Sequence, residues 1–297
     1  MGRWSGGGAK TTAVLTVLAG LTALVALQRR RARSPNGLRS QYRRGVAAAL
    51  TASPPERQII SEDDLTHLPA PVARYVRRSG AVGRPAVTGF RVTLRGRIRS
   101  APGGSWMPFT GEQVNTYGPH PTRHFWLDAK AYGVPLDVLH VLTEGHATMR
   151  ADVLSAVRVV DASGPEMDKA ESVTLFNDLC LFAPAGLLHA PITWSAVDDC
   201  HARGMYHHGD YSVTAMLEFD ADGDLLDFVS DDRLRDDGGG GSFTQMRWST
   251  PVSSYASADG RRYVSHGSAV WHAPPPGTPY TYVELEVVSL QPNPAPR

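Results

Sequence analysis

Residues 87–99 read VTGFRVTLRGRIR, and apolar and polar side chains alternate along this stretch. The apolar set takes every second position: Phe90, Val92, Leu94, Gly96 and Ile98. The positions between them are polar: Arg91, Thr93, Arg95, Arg97 and Arg99. Because successive side chains of a strand point to opposite faces, this period of two predicts an amphipathic strand with an arginine-lined outer face.

Strand-like runs continue along the chain, separated by short turn signals. They lie at 106–117, 122–131, 136–143, 147–160, 192–197, 201–207, 211–219, 225–233, 243–248, 261–271 and 280–290. Asp222-Gly223 and Asp259-Gly260 are typical of tight hairpins. Consecutive strands joined by turns favour an antiparallel meander over alternating βαβ units.

Helical spacing interrupts the strands at a few places. Residues 168–182, DKAESVTLFNDLCLF, carry apolar side chains at helical intervals, and a short second helix is predicted over 185–189. A helix-start cluster at 61–64 leads to a helix that ends at Gly80. The predicted fold class is therefore α+β and predominantly antiparallel β. We expect a curved sheet or half-barrel with a few packed helices, in a single domain over 61–297.

Composition excludes some classes of function. The chain has 297 residues, 42% of them hydrophobic, and a formal net charge of +1. A net charge this close to zero does not indicate a basic surface for nucleic acid, so no nucleic-acid partner is predicted. The sequence contains no HExxH, CxxC, GxSxG or glycine-rich phosphate loop. We therefore predict neither a cofactor nor a metal site.

The N-terminal region predicts a membrane anchor. Residues 1–10 form a Gly-rich lead that we expect to be disordered, and residues 11–28, TTAVLTVLAGLTALVALQ, carry no charge. A helix of that length spans about 27 Å, close to a hydrocarbon core of about 30 Å. A cleaved signal peptide is the alternative. However, no A-x-A-like site ends the apolar run and arginines follow it, which favours a retained transmembrane helix.

A basic juxtamembrane segment, 29–60, follows the predicted anchor. Arg29, Arg30, Arg31 and Arg33 open it, and more arginines continue to residue 44. The positive-inside rule then places the large domain on the cytoplasmic side of the cell membrane, in a single-pass topology. Residues 37–52 are predicted to be helical. Their arginines either rest on anionic lipid or belong to an exposed linker helix.

Several stretches resemble an uncharacterised bacterial family, a domain of unknown function. They include WMPFTGEQ (106–113), ESVTLFNDLC (171–180), SDDR (230–233) and WSTPV (248–252). The resemblance implies a shared fold and often an N-terminal membrane segment, but no reaction. The layout is also similar to the half-barrel of lipoprotein-carrier (LolA-like) proteins, in which one long antiparallel sheet wraps around helices and leaves an apolar cleft.

Candidate catalytic residues are acidic. Glu171 and Asp178 lie seven residues apart and share one helix face, so they are either an acid/base pair or structural partners of arginines such as Arg123 or Arg233. Asn177 sits beside them as a candidate ligand contact. An inward Glu112 among aromatic rings would have a raised pKa, as catalytic acids do.

Other ligand-binding candidates lie on strands or at their ends. Asp232 and Arg233 either anchor a loop, clasp a ligand head group or are solvated strand-end charges. Trp106 and Trp126 line either a core or an apolar cleft. Arg123 is a further candidate, through its pairing with the acidic helix face.

Three functions remain open at this point. The first is a membrane-anchored protein that binds a lipid or other apolar ligand in a β half-barrel. Its partners would then be membrane lipid, through the N-terminal helix, and the apolar ligand. The second is a membrane-tethered, hydrolase-like enzyme that uses acidic residues, and the third is a structural or interaction domain without a ligand. The absence of a catalytic motif favours a non-enzyme.

Overall fold

A computed structural model describes residues 34–54, 58–238 and 242–296. It contains helices α1 (Leu38–Ala52), α2 (Ala70–Arg78) and α3 (Pro165–Phe182), with short 3-10 helices at Asp63–Leu65 and Pro184–Leu188. The predicted disordered lead, 1–10, and transmembrane helix, 11–28, lie outside the described residues. Within those described ranges, no helix is both long and apolar enough to cross a bilayer.

The strands account for nearly half of the described chain. Their bounds are β1 Gly89–Ile98, β2 Met107–Thr116, β3 Thr122–Ala131, β4 Val134–Thr143, β5 His146–Val153, β6 Val157–Ser163, β7 Ile192–Ala196, β8 His201–His208, β9 Tyr211–Phe219, β10 Leu225–Ser230, β11 Leu234–Asp236, β12 Phe243–Gln245, β13 Trp248–Ser249, β14 Val252–Ala258, β15 Arg261–Trp271 and β16 Tyr280–Pro292.

The main sheet has 14 strands in the order β6-β5-β4-β3-β2-β1-β16-β15-β13-β10-β9-β8-β7, with β14 beside β15. Each half is a meander, and the two halves meet where β1 pairs with β16. Strands β11 and β12 form a separate two-stranded sheet. The predicted class, a mostly antiparallel curved sheet with a few packed helices, is confirmed, and the sheet is not closed into a barrel.

Strand β1 shows the alternation that its sequence predicts. Phe90, Val92 and Leu94 are at most 2% exposed and face the core. On the opposite face, Arg95 pairs with Glu286 and Arg97 with Glu284, both on β16. Such exposed pairs contribute little stability, so the apolar face is what holds the strand in place.

Helix α3 runs through the core with the sheet around it. Fifteen of its 18 residues are buried, which is typical of a helix covered on all sides. Phe176 stacks on Tyr206 at 5.4 Å between ring centroids and meets Phe228 edge-on at 5.2 Å. The helix begins at Pro165, earlier than the predicted 168, because proline is readily accommodated in the first turn of a helix.

Helix α1 packs on the outer face of the sheet, the face opposite α3. Its buried stripe, Leu38, Tyr42, Val46 and Leu50, has helical spacing and joins Val114 of β2 and Leu139 of β4 in a small second core. Neither sequence interpretation anticipated this packing. The expectation of an exposed linker helix is wrong for the apolar face of α1, because that face is buried against the sheet. Each buried side chain of this size stabilises the docked helix by about 1.5–3 kcal/mol.

The prediction from sequence misplaced some strand boundaries. The run predicted over 147–160 is a hairpin, because Leu154 and Ser155 adopt positive φ angles of 54° and 52°. Such angles favour Gly, Asn and Asp, so Leu-Ser gave no turn signal. The Ser-rich strand β14 was also missed. The hairpin at Asp259-Gly260 is confirmed, with φ angles of 52° and 70°.

Candidate ligand-binding site

Strands β2 and β3 carry functional groups on both faces of the sheet. On the inner face, which packs on α3, lie Gln113 and Asn115 of β2 and Arg123 of β3. On the outer face, beside α1, lie Glu112 and Trp126. The two faces therefore place neighbouring residues in different environments.

The inner face holds a buried polar network centred on Arg123. Its Nε donates to Asp178 Oδ2 at 2.7 Å, and its Nη1 donates to Glu171 Oε2 at 2.9 Å. Asp178 Oδ2 also accepts from Gln113 Nε2 at 2.6 Å and Asn115 Nδ2 at 3.1 Å. The predicted pairing of the acidic helix face with Arg123 is confirmed.

A second arginine completes the network. Arg233 Nη2 donates to Glu171 Oε1 at 3.4 Å, and its guanidinium lies 5.5 Å from the ring centroid of Trp248. Two guanidiniums thus face two carboxylates, Glu171 and Asp178, and the formal charges cancel. Removing one member of such a buried set would leave an uncompensated charge.

Burial and pairing set the protonation of this network. Burial would raise the pKa of Glu171, but Arg123 and Arg233 outweigh it and hold the pKa below its ordinary value. Burial raises the pKa of Asp178, although Arg123 opposes the shift. Burial also lowers the pKa of nearby His140 to about 4. A carboxylate whose pKa is lowered, as for Glu171, is a weak general base.

A cavity of about 130 Å³ lies against this network. Its polar end is formed by Gln113, Asn177, Asp178 and Thr250, and Asn177 Nδ2 donates to Thr250 Oγ1 at 2.6 Å. Its walls are apolar and come mainly from β1, β3, β15, β16 and α3. At the rim, partly exposed side chains meet solvent: Ile98, Val252, Val283 and Leu285. An apolar pocket with a few convergent polar groups is the usual form of a small-molecule site.

Glu112, Trp106 and Trp126 were predicted site residues, but they do not line this cavity. Glu112 is on the outer face, where its Oε1 accepts from Tyr42 Oη at 2.9 Å and Arg91 Nη1 at 3.4 Å. The direction of Glu112, which the sequence left open, is therefore outward, beside Tyr42 and Trp126. Trp106 precedes β2, with the Arg97 guanidinium 4.5 Å from its ring centroid, and Trp126 lies on the outer face.

Asp232 and Arg233 have separate roles in the fold. Asp232 Oδ2 accepts from the backbone N–H of Thr214 at 2.8 Å, and its Oδ1 lies 3.5 Å from Lys169 Nζ. Asp232 thus anchors the loop after β10, one of the alternatives raised by the sequence. Arg233 instead turns inward to Glu171. The pair does not form a joint clasp.

Sequence reasoning missed Gln113, Asn115 and Thr250. The first two stand two residues apart on β2, so they share a face, and polar groups at two inward positions are a usable signal for an internal network. Thr250 lies within the quoted WSTPV stretch, but nothing in the local pattern indicates that its hydroxyl would meet Asn177.

Two solved structures can be compared with this chain. An outer membrane lipoprotein-sorting protein domain, as it is described, from Vibrio parahaemolyticus is 13% identical, with a TM-score of 0.37 over 69% of this chain and 85% of the other. A DUF1329 family protein from Desulfovibrio piger is 11% identical, with a TM-score of 0.43 over 80% of this chain and 94% of the other. No curated protein matches the sequence.

Family membership rests on the sequence of the β domain. The model of a family of unknown function, DUF6544, matches residues 58–285. The match covers most of the chain and includes α2, α3 and β1 to β15 in full. It also contains the stretches on which the resemblance was based. The chain therefore belongs to the DUF6544 family of unknown function.

Proposed function

We propose that this protein is a membrane-tethered binding protein whose half-barrel cavity holds an apolar ligand, such as the end of an acyl chain. The observation that carries the proposal is the inner-face cavity, with apolar walls, a partly exposed apolar rim and a polar end. Each methylene removed from water there would contribute about 0.8 kcal/mol.

The cavity size limits the ligand. Its volume is about 130 Å³. An apolar cavity of about 150 Å³ in another protein accepts benzene. One ring, or the last few carbons of a chain, would fit inside, while the rest of a longer ligand would leave past the rim at Val283 and Leu285.

The arrangement of the acidic residues supports binding over hydrolysis. Glu171 and Asp178, the candidates for acid/base chemistry, both accept hydrogen bonds from Arg123. Both oxygens of Glu171 and Oδ2 of Asp178 accept hydrogen bonds within the network, so these three atoms are not free to take a proton from water. The network instead forms a rigid polar end for the cavity.

The tether rests on residues 11–28, an uncharged apolar run, and the arginines after it support a cytoplasmic orientation of the domain. C-terminal fusions test this orientation. A green fluorescent protein fusion should fluoresce and an alkaline phosphatase fusion should be inactive. The opposite pair of results would overturn the cytoplasmic placement. Recovery of the full-length chain in the soluble fraction would overturn the tether.

Photo-crosslinking tests the cavity. The full chain, purified in a neutral detergent, is irradiated with a palmitic acid analogue that carries a terminal diazirine, and the labelled peptides are mapped by mass spectrometry. Label is expected on the peptides of β1, β15 and β16 that line the cavity. Ala269→Phe should fill the cavity, since Ala269 is 7% exposed and lines it. Ala196→Phe is the control, on the exposed end of β7.

The position of the label in the two variants decides whether the cavity binds the ligand. Loss of label on the cavity peptides in Ala269→Phe, with the label retained in Ala196→Phe, would support the proposal. Circular dichroism and urea unfolding of both variants establish that the fold is intact. Equal labelling in both variants, or label confined to other peptides, would refute an apolar ligand in this cavity.

A further inference from the structure

A second cleft, of about 430 Å³, lies on the outer face of the sheet, between α1 and strands β1 to β3. It shares no residue with the inner cavity. The polar and aromatic residues that line it are Arg39 and Arg43 of α1, Arg91 of β1, Glu112 of β2 and Trp126 of β3. The cleft therefore exists only because α1 docks on the sheet.

The charges of this cleft do not balance. Three guanidiniums face one carboxylate, so three positive charges minus one leaves a formal +2. Glu112 is already engaged, since its Oε1 accepts from Tyr42 and Arg91. Among the described residues, Arg39 and Arg43 form no salt bridge, and the Arg39 guanidinium lies 4.8 Å from the ring centroid of Trp126.

Donors in the cleft also lack acceptors. Arg91 is 6% exposed, yet its Nε has no hydrogen-bond partner within the described part of the chain. The indole Nε1 of Trp126 is buried and has no acceptor there either. Buried donors are satisfied in the great majority of cases. These two open donors, beside two arginines that form no salt bridge among the described residues, therefore favour an acceptor supplied by a ligand.

We propose that this cleft binds a phosphate group, supplied by the head group of an anionic phospholipid. A phosphate offers several acceptor oxygens and up to two negative charges, which match the donor excess and the formal +2, and guanidiniums bind it through paired hydrogen bonds. A single carboxylate would leave one positive charge unpaired. Repulsion from Glu112 is offset by its hydrogen bonds to Tyr42 and Arg91.

The position of the cleft favours the lipid source over free phosphate. Arg39 follows the end of the apolar run, Gln28, by 11 residues, a reach of at most about 40 Å of extended chain. A cleft held this close to a bilayer would meet phospholipid head groups at high local concentration. This choice of source rests on the proposed tether, whereas the phosphate site itself does not.

Calorimetric titration tests both the site and the source. The full chain in neutral detergent is titrated with dihexanoylphosphatidic acid, inorganic phosphate and dihexanoylglycerol. The deciding pair is Arg43→Gln and Arg44→Gln. Both residues are exposed on α1 and lose the same charge, but Arg44 does not line the cleft and donates to the Pro35 carbonyl instead.

Phosphatidic acid should bind most tightly, inorganic phosphate more weakly and dihexanoylglycerol not at all. Arg43→Gln should weaken both phosphate compounds about tenfold or more, and Arg44→Gln by about twofold or less. No binding of either phosphate compound, or equal losses in the two variants, would overturn the site. Equal affinity for inorganic phosphate and phosphatidic acid would overturn the lipid source alone. Ala269→Phe should bind phosphatidic acid normally, which separates this site from the inner cavity.

Discussion

The two faces of strands β2 and β3 use arginine in opposite ways. On the inner face, Arg123 and Arg233 meet Glu171 and Asp178, so two positive charges face two negative ones. On the outer face, three arginines and one carboxylate line the cleft beside α1, and the carboxylate, Glu112, pairs with Arg91. A buried set of balanced charges is costly to disrupt, which indicates a structural role. An excess of positive charge at a partly open cleft indicates a ligand instead.

The difference follows from what covers each face. Helix α3 is buried on all sides and supplies acidic residues that complete the inner network. Helix α1 is amphipathic, and it brings Arg39 and Arg43 to the outer face without bringing acids. The same sheet thus has a charge-balanced network on one side and an excess of positive charge on the other.

The largest expected effect tests the inner network. Arg123→Met should destabilise the protein by about 3–5 kcal/mol, because two buried carboxylates would lose their main counter-charge. Urea unfolding of the full chain in neutral detergent measures the change. The matched outer-face variant, Arg91→Met, should cost about 1 kcal/mol or less, since its contact with Glu112 is 3.4 Å and partly exposed. Equal losses would contradict the contrast between the faces.

The second largest effect should be a loss of folding stability at acid pH. It is expected from one histidine on each face of the sheet. Burial lowers the pKa of His140, on the inner face, and of His124, on the outer face, to about 4. The folded state therefore favours the neutral rings. Their stabilisation is complete above the unfolded pKa of about 6.5 and is lost as the pH falls towards about 4.

At about pH 5 each histidine should cost about 2 kcal/mol relative to about pH 7.5. Replacing one of them by glutamine should remove its share of the loss. The test compares urea unfolding of His140→Gln, His124→Gln and the unchanged chain at both pH values. An unchanged pH dependence in both variants would show that neither ring is held neutral by burial.

The smallest effect tests how closely α1 docks. A Cβ at Gly45 would lie 2.5 Å from Nε2 of His124. Alanine normally stabilises a helix by about 1 kcal/mol over glycine. Here the clash should outweigh that gain, so that Gly45→Ala destabilises α1 docking by about 1 kcal/mol and speeds amide exchange in the helix.

His124→Ala supplies the control for this prediction. In that background the ring is absent, and Gly45→Ala should stabilise the helix instead. A stabilising Gly45→Ala in the unchanged chain would contradict the observed packing of α1 on the sheet.

Much of the inner face could be predicted from local pattern. The alternation in 87–99 defined β1 and its two faces, because one of those faces is apolar and the other charged. The spacing of Glu171 and Asp178 placed both on one helix face and led to the expected pairing with Arg123, which is confirmed. In both cases the signal is carried by residues close together in the chain.

The outer face could not be predicted in the same way. From Gln113 to Thr116 every residue is buried, because α3 covers one face and α1 the other, so the period of two disappears. The direction of Glu112 was therefore open. In α1, the apolar stripe Leu38, Tyr42, Val46 and Leu50 stands among arginines, which made the helix resemble a solvated linker.

The contrast between the two faces is tested most directly by urea unfolding with and without dihexanoylphosphatidic acid. The quantity compared is the shift in the free energy of unfolding that this ligand produces. At about 100 times its Kd, a ligand of the folded state adds about 2.7 kcal/mol. We predict this shift in the unchanged chain, in Arg44→Gln and in a destabilised but folded Arg123→Met, and a shift smaller by about 1.4 kcal/mol in Arg43→Gln. A full shift in Arg43→Gln, or its loss in Arg123→Met, would contradict the assignment of structure to the inner face and binding to the outer cleft.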